Sequence, residues 1–357
     1  MKIGILTIID NDNYGNRLQN YATNYVLNKL GPDINVDTFI NEVDFNSKRK
    51  CIEKTIKKYI KKIIFFNKKT HESERYKNFC EFNKNIKFAT KKINAFSKIK
   101  DYDYVLVGSD QVWNPTFYRL TTEVDLLGFV APNKRIAFAA SFGVNYIPEK
   151  IKKRVGKALK MFKAISVRED AGKEIVKDIS NRSDVDVLVD PTMLLSADEW
   201  DKVAKKPTML KCKKYILNYF LGNLSEKRRN EIKRVAEENE CEIIDILNKE
   251  SPFYNCGPSE FLYLEKNAFL VCTDSFHSSV FAILYNRPFV VFDREDNMES
   301  MSSRIDTLIH KFKLKDRKYK GKLLRENLNH DYMEAYEILD DERKKSYKFL
   351  KNALEIW

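Results

Sequence analysis

Lys2-Ile3-Gly4-Ile5-Leu6-Thr7-Ile8-Ile9, followed by Asp10-Asn11-Asp12-Asn13-Tyr14-Gly15-Asn16, decides how the rest of the chain is read. The first eight residues are an Ile-rich run, almost all apolar, which predicts a buried strand. The next seven form a polar loop. Leu18, Tyr21, Ala22, Tyr25, Val26 and Leu30 then recur at helical spacing, and Gly31-Pro32 stops the helix. Strand, polar loop and helix together open an α/β unit. The grammar returns at Tyr104–Val107, which ends in Gly108-Ser109-Asp110-Gln111, and at Arg135–Ala140, which ends in Ser141-Phe142-Gly143. A helix is expected over 148–161. A strand over 164–167 ends in Arg168-Glu169-Asp170 and leads into a helix, and a strand over 185–189 ends in Asp190-Pro191-Thr192.

A polar, then Lys- and Pro-containing segment at 196–212 reads as a boundary. Beyond it, strands are expected at 214–220, 242–247, 268–272 and 288–292, alternating with helices at 225–239, 258–266 and 275–286. A long helix over about 332–355 closes the chain. The expected architecture is therefore α/β, with two Rossmann-like domains facing across a cleft. Their bounds are 1–196, 197–340, and 341–357 for a closing helix able to return to the N-terminal domain. A basic helical insertion interrupts the first domain over about 45–100.

The 357 residues carry a formal net charge of +13, and that charge is local. Residues 47–100 hold 18 Lys and Arg against 4 Asp and Glu; the remainder holds 46 against 47. Within the basic segment Ile52, Ile56, Tyr59, Ile60, Ile63 and Ile64 share a helical face, and Lys54, Lys57, Lys58, Lys61 and Lys62 cover the other. Such a helix suits an anionic membrane surface, or packs its apolar face on the domain. Its aromatics fall with the apolar stripe rather than among the lysines, which argues against nucleic acid. The six cysteines form no CxxC pair, so neither a zinc site nor a disulfide framework is expected, and a cytoplasmic location fits. The first apolar run is too short for a signal peptide, and no apolar stretch reaches the length of a membrane-spanning helix.

In open parallel sheets, ligands bind beyond the carboxyl ends of the strands. The polar residues expected there are Asn13, Asn16 and Arg17; Ser109, Asp110 and Gln111; Ser141; Arg168 and Glu169; Asp190 and Thr192; Asn218; and Thr273-Asp274-Ser275-Phe276-His277-Ser278-Ser279. His277 opens a helix, with Asp274 or Ser275 as N-cap. Free N–H groups at a helix start bind anions, and a histidine there can exchange protons near neutral pH. Arg168 has the planar fork that suits phosphate and carboxylate. Arg294 and Arg304 follow the next strand, whereas Arg287 precedes it, on the wrong side for a ligand. Asp110 can orient or deprotonate a sugar hydroxyl, or cap a turn. No GxGxxG, P-loop, HExxH or GxSxG pattern is present.

Taken in order, these segments resemble the polysaccharide pyruvyl transferase family. The matching pieces are Asn13-Tyr14-Gly15-Asn16 with Leu18-Gln19-Asn20-Tyr21-Ala22, Gly108-Ser109-Asp110-Gln111-Val112-Trp113-Asn114, Ala139-Ala140-Ser141-Phe142-Gly143, Ser166-Val167-Arg168-Glu169, Asp190-Pro191-Thr192-Met193-Leu194-Leu195, and Thr273-Asp274-Ser275-Phe276-His277. The resemblance implies a GT-B-like fold. It also implies transfer of the enolpyruvyl unit of phosphoenolpyruvate to two sugar hydroxyls, giving a ketal and phosphate. Residues matching Arg168 and His277 then bind the donor and serve in acid/base work, with Asp110 near the acceptor; neither a metal nor another cofactor is needed. Asn13, Asn16, Ser109, Gln111, Ser141, Asn218, Ser275, Ser278 and Ser279 complete the expected substrate site. Many members carry Arg-Leu-His where this chain has Ser275-Phe276-His277, so Arg294 or Arg304 is expected to supply the missing charge. The implied partner is a saccharide, free or lipid-linked; a homo-oligomer stays open. Two other readings compete: a GT-B glycosyltransferase, which would release a nucleoside diphosphate from a nucleotide sugar, and a non-catalytic membrane-peripheral protein, which would bind anionic lipid without turnover.

Overall fold

The computed structural model describes residues 1–41, 69–116, 124–295 and 303–356, with side chains from residue 74 onward in the second of these segments. β1 (Lys2–Leu6), β2 (Asn35–Asn41), β3 (Phe88–Ile93), β4 (Tyr104–Val107), β5 (Arg135–Ala140), β6 (Ala164–Val167) and β7 (Val185–Val187) form one parallel sheet in the order β3-β2-β1-β4-β5-β6-β7. Parallel strands are covered on both faces, which is why the central ones read as near-continuous apolar runs. Ile3, Ile5 and Leu6 of β1 are fully buried, as are Val107 of β4 and Val167 of β6. The helices of this unit are α1 (Tyr14–Lys29), α2 (Lys69–Asn83), α3 (Glu149–Leu159) and α4 (Asp170–Ser180). Trp113 anchors its core, with ring centroids 5.3 Å from Phe142 and 5.7 Å from Phe162.

A second parallel sheet has the order β11-β10-β8-β9, built from β8 (Tyr215–Tyr219), β9 (Glu242–Asp245), β10 (Leu270–Thr273) and β11 (Phe289–Val291). Its helices are α5 (Ala197–Asp201), α6 (Glu226–Glu238), α7 (Pro258–Asn267), α8 (Phe276–Leu284) and α9 (Ser303–Lys311). α10 (Met333–Leu354) closes the chain. Two compact units result: Met1–Leu194 with Lys345–Trp357, and Leu195–Lys344. No helix among the described residues is long and apolar enough to cross a membrane.

The reading of 45–100 as one helical insertion needs correction. Residues 69–83 form α2, and residues 88–93 form β3, the edge strand of the first sheet. β2 has no counterpart among the strands expected from the sequence. β3 is masked by Lys91 and Lys92, which stay exposed because an edge strand has one face and one side open to water. The stripe of isoleucines from Ile52 to Ile64 lies outside the described residues.

α3 packs tightly on α4. A Cβ added at Gly156 of α3 would lie 1.9 Å from the carbonyl oxygen of Ile179 in α4. In an open helix Gly→Ala would raise stability. Here Gly156→Ala is expected to lower it by about 1–3 kcal/mol through overpacking, read as a fall in the thermal midpoint.

Candidate active site

Each sheet has one position where the chain reverses its direction of strand addition, and ligand crevices form there beyond the strand ends. In the first sheet that position lies between β1 and β4. The loop after β1 carries Asn13, the N-cap of α1, whose side chain accepts from the backbone N–H of Asn16 at 3.2 Å. Asn16 Nδ2 donates to Asp110 Oδ2, joining that loop to the one after β4. Gln19, one turn further along α1, accepts from the Ser109 backbone N–H at 3.1 Å and donates to Thr7 Oγ1 at 2.8 Å. Gly108 makes the turn after β4 possible: its φ is +122°, and a Cβ there would sit 2.2 Å from the Phe138 carbonyl oxygen. Asp110, at φ +62°, is a residue type that tolerates the left-handed region.

Arg168, just beyond β6, is 3% exposed. Its Nη1 lies 2.5 Å from Asp190 Oδ2 and its Nη2 3.6 Å from Asp110 Oδ1. Burial alone would lower the guanidinium pKa; Asp190, Asp110 and Glu169 more than offset it, and the net shift is upward. Asp190 is itself held, with Oδ1 accepting from the N–H of Thr192 at 3.0 Å and its hydroxyl at 2.7 Å, and Oδ2 accepting from Ser109 Oγ at 2.8 Å. The arginine thus fixes Asp110 from inside the unit. Arg17 is also enclosed, donating to the Ile8 carbonyl at 2.9 Å and to Asn20 and Asn83. Burial lowers its pKa to about 10, against the pull of Asp10 and Asp110.

Ser141 donates to Glu169 Oε1 at 3.0 Å, and the same oxygen accepts from the backbone N–H groups of Phe142 and Gly143 at 2.7 and 3.1 Å. An internal carboxylate therefore occupies the anion-binding turn after β5. Gln111 accepts from Asn114 at 2.7 Å, and its backbone N–H bonds Asp110 Oδ1 at 2.8 Å.

In the second sheet the reversal falls between β8 and β10. Asp274, after β10, does not cap α8; its two oxygens accept from the N–H groups of Leu221 and Gly222, after β8, at 2.7 and 2.8 Å. Ser275 is the N-cap by backbone position but makes no side-chain cap bond. His277 lies in the first turn of α8, its ring 5.3 Å from that of Phe276. Two arginines stand beside this turn. Arg294 Nε is 3.5 Å from Asp274 Oδ2, and the Arg304 guanidinium lies 6.0 Å over the Phe276 ring. The hydroxyls of Ser278 and Ser279 turn inward, to Glu265 and to the Ser275 carbonyl. Asn218 lies within β8 and is buried.

The structure thus groups Asn13, Asn16, Ser109, Asp110 and Arg168 in one unit, and Ser275, His277, Arg294 and Arg304 in the other. Gln19, one turn beyond the polar loop in the Leu18-Gln19-Asn20-Tyr21-Ala22 segment, joins the site as well. A cavity of about 590 Å³ in the first unit lies between the start of β6, the edge strand β7 and the last turns of α10. It is lined by Lys163, Asp184, Asp186, Lys348 and Phe349 among others, and by none of the residues above.

The sequence profile of the polysaccharide pyruvyl transferase family matches residues 13–297, a span that holds both polar clusters except Arg304. The chain belongs to that family of transferases. No protein of curated function matches it in sequence. Among solved structures, a protein described as a UDP-N-acetylglucosamine 2-epimerase from Listeria monocytogenes is similar at 13% identity and a TM-score of 0.52, covering 98% of this chain and 90% of that one. The UDP-GlcNAc 2-epimerase from Methanocaldococcus jannaschii, in complex with UDP-GlcNAc and UDP, has 14% identity, a TM-score of 0.48, and coverage of 99% and 100%. The Listeria structure supports the GT-B-type α/β fold and nothing further.

The enclosure of Arg168 separates two roles by measurement. Removing one partner of a buried charge pair typically costs about 3–5 kcal/mol, so Arg168→Ala should lower the urea midpoint in the absence of any ligand. An arginine held open as an anion clamp would leave that midpoint unchanged.

Proposed function

We propose that the chain transfers the enolpyruvyl group of phosphoenolpyruvate to two hydroxyls of a saccharide, forming a pyruvate ketal and releasing phosphate. The observation that carries this reading is the family match over 13–297 together with a histidine in the first turn of α8, with Arg294 against the neighbouring Asp274 and Arg304 over the neighbouring Phe276 ring. A donor with a phosphate and a carboxylate calls for that combination: helix N–H groups and a positive dipole end, plus guanidinium forks.

The reaction balances with protein groups alone. A proton is added to C3 of the enol, and a sugar hydroxyl attacks C2 while giving up its own proton. C2 then carries a methyl, a carboxylate, the phosphate and the sugar oxygen. The C2–O bond to phosphate breaks, phosphate leaving with the electron pair. The second hydroxyl attacks C2 and loses its proton, closing the ketal. His277 serves as general acid/base, and Arg294 and Arg304 hold the donor's anionic groups. Asp110 accepts from an acceptor hydroxyl, with Asn13, Asn16, Ser109 and Gln111 around it. Arg168 is a positioning residue for Asp110 rather than a clamp on the donor. The acceptor is a free or lipid-linked saccharide.

His277→Ala should slow phosphate release by about 10²–10⁴-fold with the circular dichroism spectrum unchanged; near-normal turnover removes His277 from the mechanism. Arg294→Ala should raise the KM for phosphoenolpyruvate by roughly tenfold or more, the equivalent of one charge-assisted contact, and change kcat less. An unchanged KM would assign Arg294 to Asp274 alone.

A further inference from the structure

None of these steps uses Glu265. It lies on α7, on the buried stripe formed with Pro258, Phe261 and Leu262, and is 0% exposed. Its Oε1 is 2.5 Å from Ser278 Oγ, and its Oε2 has no hydrogen-bond partner among the described residues. No cation pairs with it there: Lys266, its neighbour in sequence, pairs with Asp201 at 2.6 Å. The other groups facing this space come from every element around it. From α5, Asp201 buries an oxygen without a partner; from β8, the Tyr215 hydroxyl donates to the Leu264 carbonyl at 2.9 Å. Beyond the end of α8, the Tyr285 hydroxyl is buried without a partner, and Arg287, whose Nε is also buried, acts on Tyr215 and not on Glu265. An isolated carboxylate would lose its hydration here without a compensating charge, whereas the neutral acid keeps one O–H to donate. Burial accordingly raises the Glu265 pKa well above the ordinary 4.5, with the Ser278 bond opposing in part.

Ser278 directly follows His277, so Glu265 grips the same turn that carries the histidine. We propose that Glu265 is a positioning residue working as a neutral acid: through Ser278 it anchors the first turn of α8, and it adds no negative charge behind the helix end that receives the donor's anions. The inference rests on the reading of that helix end as the donor site. Were Glu265 ionised, its charge would oppose the positive end of the α8 dipole and weaken anion binding.

The sign of the pH effect follows. A carboxyl whose folded pKa is raised contributes stability that is fully present below its unfolded pKa and is lost as pH rises through the folded value. Glu265→Gln copies the neutral acid in shape and cannot ionise. Without ligand, the thermal midpoint of the wild type should fall as pH rises above about 5, and that of the variant should fall less and overtake it at the alkaline end. Phosphoenolpyruvate affinities should agree at acid pH and diverge at alkaline pH, the variant binding about two- to fivefold more tightly, the equivalent of one charge at a helix end. A variant less stable than the wild type by the same margin at every pH would overturn the proposal. So would the absence, at neutral pH, of a protonated-carboxyl infrared band in the wild type that the variant lacks, a measurement on the native protein that stands even if the variant folds poorly. If the melts behave as predicted but neither protein binds phosphoenolpyruvate, the donor-site role is overturned and only the neutral acid survives.

Discussion

A guanidinium removed from water must be neutralised by the protein, and the first unit is organised around meeting that demand at Arg168. Asp190 answers it at 2.5 Å and Asp110 at 3.6 Å. The rest follows from keeping those carboxylates in place. Thr192 and Ser109 bind Asp190, Asn16 binds Asp110, and Gln19 holds the Ser109 backbone. The ends of β1, β4, β6 and β7 are thereby tied into one polar network. Buried polar networks of this kind restrict the arrangements open to their members, and losing one partner is costly in the same interior. The result is an acid, Asp110, whose orientation is set before any ligand arrives.

The second unit solves a related problem with opposite electrostatics. At the β8/β10 reversal one carboxylate, Asp274, secures the loop after β8, and the helix start next to it is left with its own positive end. Arg294 stands by Asp274 and Arg304 by Phe276, so positive charge gathers near this helix start, whereas carboxylates dominate the first cluster. Glu265, buried behind the helix start, is proposed to bear on that balance through its charge state.

Much of the architecture was legible because strand followed by polar loop followed by helix is a local pattern. The runs at β1, β4, β5, β6, β8 and β10, and the polar residues that end them, can be read directly from neighbours in sequence. β2 and β3 were not, since β3 is an edge strand whose lysines disguise it and β2 has Asp37 and Thr38 within its run. At the site, the residue types of Asp110, Arg168 and His277 were readable, but the partners of Arg168 were not. They are carboxylates that end other strands, and only strand order brings them together. Asp274 and Ser275 are alternative caps in the sequence for the same reason: Ser275 takes the cap position, and the partners of Asp274 lie 53 and 52 residues away. Glu265 did leave a local signal, an acid on the apolar stripe of α7, whose meaning needed the partner helix.

The account stands or falls on what the donor loses. Phosphorus NMR of the full chain incubated with phosphoenolpyruvate and a panel of free and lipid-linked saccharides follows that group directly. The account predicts conversion of the phosphoenolpyruvate signal to inorganic phosphate, dependent on a saccharide with two neighbouring hydroxyls and matched by a ketal methyl in the product. An inert phosphoenolpyruvate signal across the panel, with nucleoside diphosphate released instead when a nucleotide sugar is supplied, would contradict it.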